Sequence, residues 1–150
     1  MTCAQNSQLI RRFYGEIINL ADLDAVEAEL PAFIAADYVD HNSPEGPRGP
    51  SGYMAHLRAL RNTFPDFQCE VVDIIAERDR VASRVRGLGT HLGELLGLKP
   101  TNKRVDVRGI NVDRIENGRI AEHWGEADTL GMLLAMGLAP PPALARCWVA

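Results

Sequence analysis

The chain has 150 residues, of which 46% are hydrophobic and 24% are charged, and its formal net charge is −4 at pH 7. This length is sufficient for one domain with its own core, without metals or disulfides. The negative net charge and the scattered Lys and Arg residues argue against nucleic-acid binding, because a phosphate backbone attracts a basic stripe.

The cysteines and the N-terminal segment indicate the cellular compartment. Cys3, Cys69 and Cys147 are odd in number and widely spaced, which is typical of reduced thiols rather than of a disulfide framework. The first residues contain an Arg pair and no apolar core, so they do not resemble a signal peptide. No apolar run is long enough to span a bilayer. We expect a cytoplasmic protein that does not contact a membrane.

The first two elements are predicted to be helices. Apolar residues recur at three- and four-residue intervals from Leu9 to Leu20, and Asn6 or Ser7 is a suitable N-cap. A second helix is expected to begin at Asp22 and to end at Pro31. Both helices have one apolar face, as expected for helices that cover a core.

A Pro- and Gly-rich segment and a third helix follow. Residues 37–52, DYVDHNSPEGPRGPSG, predict a short extended piece followed by a loop. Ser51 is a suitable N-cap for a helix that contains Met54 and ends near Thr63.

From Phe67 onward the apolar period changes to two, which predicts strands. The runs 67–76 and 80–91 are joined by a polar turn at residues 77–80. The runs 103–115 and 119–127 are joined by Asn117-Gly118, a pair that favours a type I′ hairpin turn. Residues 130–136 form a last short helix.

The order of these elements predicts the fold class. Helices come first and strands later, which favours α+β, with a curved antiparallel sheet wrapped into a cone-shaped barrel closed by the N-terminal helices. We expect one domain over 1–150, with a core at about 9–137 and a C-terminal tail at 138–150. The tail is expected to pack on the barrel or on a partner subunit through Leu144, Trp148 and Val149. Bends or bulges are expected at Gly87, Gly89, Gly93 and Gly109.

The last predicted strand carries the first candidate for chemistry. Glu122, Trp124, Glu126 and Asp128 alternate along it and would therefore face the same side. Asp128 stands where the strand ends and the helix begins. It is either an N-cap or a carboxylate that points into a pocket, and the pattern alone leaves both interpretations open.

The histidines do not form a metal motif. His41, His56, His91 and His123 never occur as HxH or HxxxH, and no Cys lies close to them, so we predict no metal site. The simplest interpretation of His91, beside a predicted loop, is a surface position. His41 lies in a segment that predicts a turn. The chain has no GxSxG, P-loop or GxGxxG motif.

Several motifs occur together in this chain: YVDHNSPEG, FPDF, ERDRVASR, GTHLGE, PTNKRV and RIENGRIAEHW, followed by an Asp four residues beyond that Trp. Together they resemble the SnoaL-like polyketide cyclase family, within the nuclear transport factor 2-like fold. The resemblance covers about residues 9–137. Asn102 stands where the family usually has Gly, and Asn tolerates the positive φ of such a turn.

The resemblance implies a cofactor-independent enzyme that closes a ring of a large aromatic polyketide by an intramolecular aldol condensation. It implies that Asp128 is the general base, that a central cavity binds an apolar or aromatic ligand, and that the chain forms a homodimer. Trp124, on the same parity as Asp128, is expected to supply an apolar wall beside it. His91 and His41 are the first candidates for the acid or oxyanion donor. The expected substrate contacts are Tyr14, His41, Met54, Asn111 and Trp124.

Two other functions are compatible with the same sequence features. One is a cofactor-free hydroxylase, which shares these motifs. The other is a non-catalytic domain that binds a small ligand or mediates dimerisation, because the fold does not dictate the function.

Overall fold

The structure is a computed structural model, and it describes residues 1–95 and 97–138. The described residues form α-helices and one curved sheet, which confirms the α+β class. In chain order the elements are α1 (Cys3–Gly15), a 3₁₀ helix (Ile17–Asn19), α2 (Leu23–Phe33), β1 (Ile34–Asp40), α3 (Gly49–Thr63), β2 (Gln68–Glu77), β3 (Arg80–Thr90), β4 (Arg104–Glu116), β5 (Arg119–Ala127) and α4 (Thr129–Met136).

Helix α1 begins earlier than the apolar pattern predicts. Its N-cap is Thr2, whose side chain accepts from the Gln5 amide while the Gln5 side chain accepts from the Thr2 amide. This reciprocal capping box makes the expected cap at Asn6 or Ser7 wrong. The Asn6 side chain is instead buried and donates to the carbonyl oxygen of Arg78 at 3.0 Å.

Two other helix boundaries also differ from the expectation. Asp22 caps α2 as predicted, but the helix continues past Pro31 to Phe33. Proline in the last turn removes only one backbone hydrogen bond, and its fixed φ is helical. Helix α3 begins after Arg48 rather than at Ser51, with Pro50 in its first turn, where the missing N–H costs little.

The strands form one unclosed sheet in the order β1-β5-β4-β3-β2. Strands β2 to β5 are antiparallel neighbours, and β1 pairs in parallel with β5. The turn between β4 and β5 has φ of 50° at Asn117 and 77° at Gly118, which confirms the type I′ prediction. Asn102 has φ of 57°, as expected for an Asn in place of Gly.

The irregular positions of the sheet are not at the predicted glycines. The register shifts between Ile34 and Val39 in β1, between Val71 and Asp73 in β2, and at Ala121 in β5 opposite Arg114 and Ile115, whereas β3 and β4 pair without a shift. The expectation of bulges at the glycines is therefore wrong for the strand positions. Gly87 and Gly89 instead make room for aromatic rings, because a Cβ there would lie 3.1 Å from Phe67 and 3.0 Å from Phe64.

Helices α1 to α3 cover one face of the sheet and form the main core with it, including Phe13, Leu30 and Val81. Met136 of helix α4 forms a second cluster with Phe64 and Val105. None of the helices among the described residues is long and apolar enough to cross a membrane. The tail contacts expected of Leu144, Trp148 and Val149 lie outside the described residues.

Candidate functional site

A cluster of three polar side chains lies inside the covered face of the sheet. Val81, Asp113 and His123 are direct neighbours across β3, β4 and β5, so their side chains project to the same side. Asp113 is completely buried, and its Oδ1 accepts from the Tyr14 hydroxyl at 3.1 Å. The same oxygen lies 2.8 Å from Nδ1 of His123. Helix α1 and two strands thus meet at one carboxylate oxygen.

The surroundings shift the pKa of each group in the cluster. Burial raises the pKa of Asp113, against the hydrogen bonds and charge of His123 and Tyr14 that lower it. Burial alone would lower the pKa of His123, but the hydrogen bond and charge of Asp113 outweigh it and raise that pKa. Burial and the charge of Asp113 raise the pKa of Tyr14 well above its usual value. Tyr14 therefore stays protonated and donates to Asp113.

The other ring nitrogen of His123 is the exposed edge of this cluster. The His123 side chain is 16% exposed, and its Nδ1 is already bonded. Nε2 lies 2.8 Å from the point where a Cβ on Gly125 would be, and Oδ1 of Asn111 lies 3.1 Å from that point. Only glycine at position 125 leaves room for this placement of the imidazole. His123 Nε2 and Asn111 therefore face the same small space.

Aromatic rings line the covered face beside the cluster. Phe13 packs edge-on against both Tyr14 and Tyr53, at 5.1 Å between ring centroids, and Tyr53 packs against Tyr38 at 6.2 Å. Met54, a predicted substrate contact, is buried in the same core. These rings pack against one another in the main core, and Tyr14 links them to the cluster.

Two buried oxygens on this face have no hydrogen-bond partner among the described residues: Ser83 Oγ and Asp113 Oδ2. Ser83 is the direct cross-strand neighbour of Asn111, and Asp113 is two residues further along β4. An unpaired buried polar group costs about 1–3 kcal/mol.

Asp128, the predicted general base, lies away from this cluster. Its Oδ1 accepts from the Gly131 amide at 2.8 Å, and its Oδ2 lies 3.7 Å from Nη2 of Arg108. The side chain is 45% exposed. This is the geometry of an N-cap for α4, so the structure supports the capping interpretation of Asp128.

His91 does not lie beside Asp128. It is completely buried, so the surface position is wrong, and its ring lies 5.8 Å from Phe64 beside the α4 cluster. Its Nδ1 lies 3.0 Å from the Thr101 hydroxyl and accepts from the Thr101 amide at 3.3 Å. These bonds hold the loop that follows β3.

Trp124 and His41 lie on the opposite face of the sheet. Their rings stack at 4.4 Å, Arg80 lies 5.2 Å above the indole, and His41 Nε2 is 2.7 Å from Glu122. The expectation that Trp124 lies on the pocket side of the sheet is therefore wrong.

The physical reason for this error is a bulge in β5. Ile115 pairs with Ile120 and Arg114 with Glu122, so Ala121 is an extra residue that reverses the alternation. The reversal turns His123 inward and Trp124 outward.

Of the predicted site residues, Tyr14, Met54 and Asn111 line the covered face, whereas Asp128, His91, His41 and Trp124 lie elsewhere. Asp113 and the inward role of His123 were missed. One signal for Asp113 was present. It lies an even number of residues from the apolar Val105 and Ile115, so it shares their buried face of β4, where a carboxylate is costly unless it has hydrogen-bond partners.

Two of the clefts on the described surface do not contain the cluster. One, of about 570 Å³, lies between the start of α1 and the hairpin turns. The other, of about 610 Å³, lies beside the start of α3. Within residues 1–95 and 97–138, no group of three or more His, Cys, Asp or Glu side chains is placed to hold a metal ion.

Comparison with known proteins adds a family and a set of similar structures. The family model described as SnoaL-like polyketide cyclase matches residues 8–136. TsrD from Streptomyces laurentii is 28% identical with a TM-score of 0.80, over 93% of this chain and 99% of that chain. IdmH from Streptomyces antibioticus, a proposed polyketide cyclase, is 33% identical with a TM-score of 0.75, over 89% and 99%. AclR from Streptomyces galilaeus, a proposed hydroxylase, is 26% identical with a TM-score of 0.73, over 99% and 96%. No curated protein matches the sequence.

Proposed function

Because this chain belongs to the SnoaL-like polyketide cyclase family, we propose that it closes a ring of an apolar polycyclic substrate by a cofactor-independent, intramolecular aldol-type reaction. The observation that carries this proposal is the buried Tyr14–Asp113–His123 cluster. It supplies a base whose Nε2 has no hydrogen-bond partner within residues 1–95 and 97–138, next to the aromatic rings of the core. We assign the general base to His123 and not to Asp128, whose carboxylate already caps α4.

The proposed reaction uses His123 twice. Neutral His123 takes a proton at Nε2 from a carbon flanked by carbonyls, and the electron pair of that C–H bond forms an enolate. The enolate carbon attacks a second carbonyl carbon of the same molecule and leaves an alkoxide. The imidazolium then returns the proton to that alkoxide. Atoms and charge balance, and no external oxidant or reductant is needed.

The neighbours of His123 fit these steps. Asp113 fixes Nδ1 as the protonated nitrogen, which leaves Nε2 as the acceptor, and its negative charge stabilises the imidazolium. Tyr14 holds the carboxylate from α1. Asn111 faces the same space as Nε2 through its Oδ1, and a flip of its side-chain amide presents the NH2 group, which is our candidate donor to the enolate oxygen. The apolar surroundings strengthen both interactions, because they exclude water.

Deuterium exchange tests this proposal. We expect the purified protein, without added metal or cofactor, to accelerate exchange at the acidic carbon of an aromatic β-diketone probe in D₂O, followed by NMR. The similarity to AclR favours a hydroxylase as the second candidate, and oxygen uptake with a hydroxylated product would support it. Tight binding of the probe with neither exchange nor oxygen uptake would support a non-catalytic binder and contradict both enzymes.

We also propose that the chain forms a homodimer through the outer face of its sheet, as the family resemblance implies. One cross-strand row on this face is apolar: Ile75, Ala82, Val112 and Trp124. Ile75 is 70% exposed, and the nearby Ile110 is 56% exposed. Such an exposed apolar row is typical of an interaction surface.

Ile75→Glu should therefore convert the dimer into a folded monomer, as measured by light scattering after size exclusion. Leu92→Glu, a matched change at another exposed apolar residue, should leave the dimer intact. A wild-type monomer, or a dimer that Ile75→Glu leaves unchanged, would argue against this interface.

A further inference from the structure

The unpaired oxygens inside the covered face indicate what the site binds. We propose that Ser83 and the free oxygen of Asp113 together bind one hydroxyl group of a phenolic or enolic ligand. The inference depends on the proposed function for the location of the site, and it adds the chemical class of the group that enters it.

The two oxygens are positioned to share one ligand atom. Ser83 pairs with Asn111 across β3 and β4, and Asp113 lies two residues further along β4 on the same face. Diagonal neighbours of this kind lie about 7–8 Å apart, a span that a single hydroxyl oxygen can bridge when it is bonded to both short side chains. Ser83 Oγ and Asp113 Oδ2 are both completely buried and without a partner in the described part of the chain.

The chemistry of the pair selects a hydroxyl. Asp113 Oδ2 needs a donor, because Oδ1 already accepts from Tyr14 and lies in hydrogen-bond contact with His123. The Ser83 hydroxyl can both donate and accept. A ligand hydroxyl donates to Asp113 and accepts from Ser83, so it satisfies both. A carbonyl or an ether leaves Asp113 without a donor, and a carboxylate is repelled by its charge.

Access to the pair requires a side chain to move, and Asn111 is suited to do so. It is half-buried beside Ser83, and no hydrogen bond within residues 1–95 and 97–138 holds its side chain amide. Its Oδ1 lies beside Gly125, in the space that it shares with Nε2 of His123. The proposed binding therefore requires Asn111 to turn about its own χ angles, so that the ligand hydroxyl reaches Ser83 from the His123 edge.

Equilibrium binding of three matched naphthalenes tests the inference: 2-naphthol, 2-methoxynaphthalene and 2-naphthoate. We expect wild type to bind 2-naphthol about tenfold more tightly than the methyl ether, and Ser83→Ala to lose most of this preference. Ser51→Ala, the same change at an exposed serine of α3, should keep it. Ser83→Ala should not lower the melting temperature, because it removes an unpaired hydroxyl.

Three binding results would overturn the inference: no binding of 2-naphthol, an unchanged preference in Ser83→Ala, or tightest binding of the naphthoate. A loss of melting temperature in Ser83→Ala would also contradict it, since the hydroxyl would then already have a partner. Binding is measured without turnover, so the two proposals can fail separately. Ser83-dependent binding without deuterium exchange would contradict only the proposed reaction, and exchange without Ser83-dependent binding would contradict only this inference.

Discussion

His123→Gln is expected to reduce deuterium exchange by about 10²–10⁴-fold, the range that a positioned general base contributes. Glutamine keeps much of the side-chain volume and can still bond to Asp113, but it has no nitrogen that accepts a proton near neutral pH. The free protein should therefore stay folded while the chemistry is lost. The measurement is the exchange rate of the β-diketone probe, with binding of the probe measured separately so that a loss of affinity is not mistaken for a loss of catalysis.

Asp128→Asn is the matched control for this experiment. Asparagine is as good an N-cap as aspartate, so this variant keeps the bond to the Gly131 amide and should retain exchange. The pair of variants decides between the two bases that the sequence and the structure favour. Exchange that survives in His123→Gln and disappears in Asp128→Asn would return the base to Asp128, as the family resemblance implies.

Asp113→Asn is expected to have the second-largest effect, a loss of about 10²-fold at the plateau of the pH–rate profile. The side-chain amide that this change introduces can donate to Nδ1 of His123, which places the proton on Nε2 and blocks the acceptor. The variant also removes the charge that raises the pKa of His123, so burial then lowers that pKa. The acidic limb of the pH–rate profile should move to lower pH. An acidic limb that stays in place would show that Asp113 does not influence the pKa of the base.

The same variant should change the pH dependence of stability. Asp113 and His123 both have a raised pKa in the folded protein, so the folded state binds protons more tightly than the unfolded chain. Their contribution is complete below the unfolded pKa values, about 3.9 for Asp and 6.5 for His, and is lost as pH rises through the folded values. Wild type should thus lose unfolding free energy relative to Asp113→Asn as pH rises above about 6.5. Urea denaturation at several pH values measures the difference, and parallel curves would contradict the coupling.

Local chemistry predicted much of the fold. The Asn117-Gly118 turn, the change of period after Phe67 and the cap at Asp22 depend on neighbouring residues, and the structure confirms all three. The start of α1 was also readable, because Thr2 and Gln5 have the spacing of a capping box. The parallel pairing of β1 with β5 was not predicted, since it joins residues distant in sequence that no local pattern links.

The candidate site was harder to predict than the fold for one physical reason. The apolar Ile120 faces inward, and simple alternation from it carries Trp124 inward as well. A single extra residue at Ala121 reverses this order, and its presence depends on the pairing with β4. The inward positions of Tyr14, Met54 and Asn111 did not depend on that register, and these residues do line the covered face.

The central place of β5 in the sheet has a consequence for how the chain folds. β5 follows the other strands in sequence, yet it lies between β1 and β4 and is the partner of β1 in the sheet. Until it docks, β1 has no neighbour and the edge of β4 is open to pairing with another chain. The same docking brings His123 to Asp113 and to Tyr14, which lies 109 residues away in sequence from that histidine. A partly folded chain is therefore aggregation-prone and lacks the Tyr14–Asp113–His123 cluster, so the proposed deuterium exchange and the fully assembled sheet should appear in the same kinetic step.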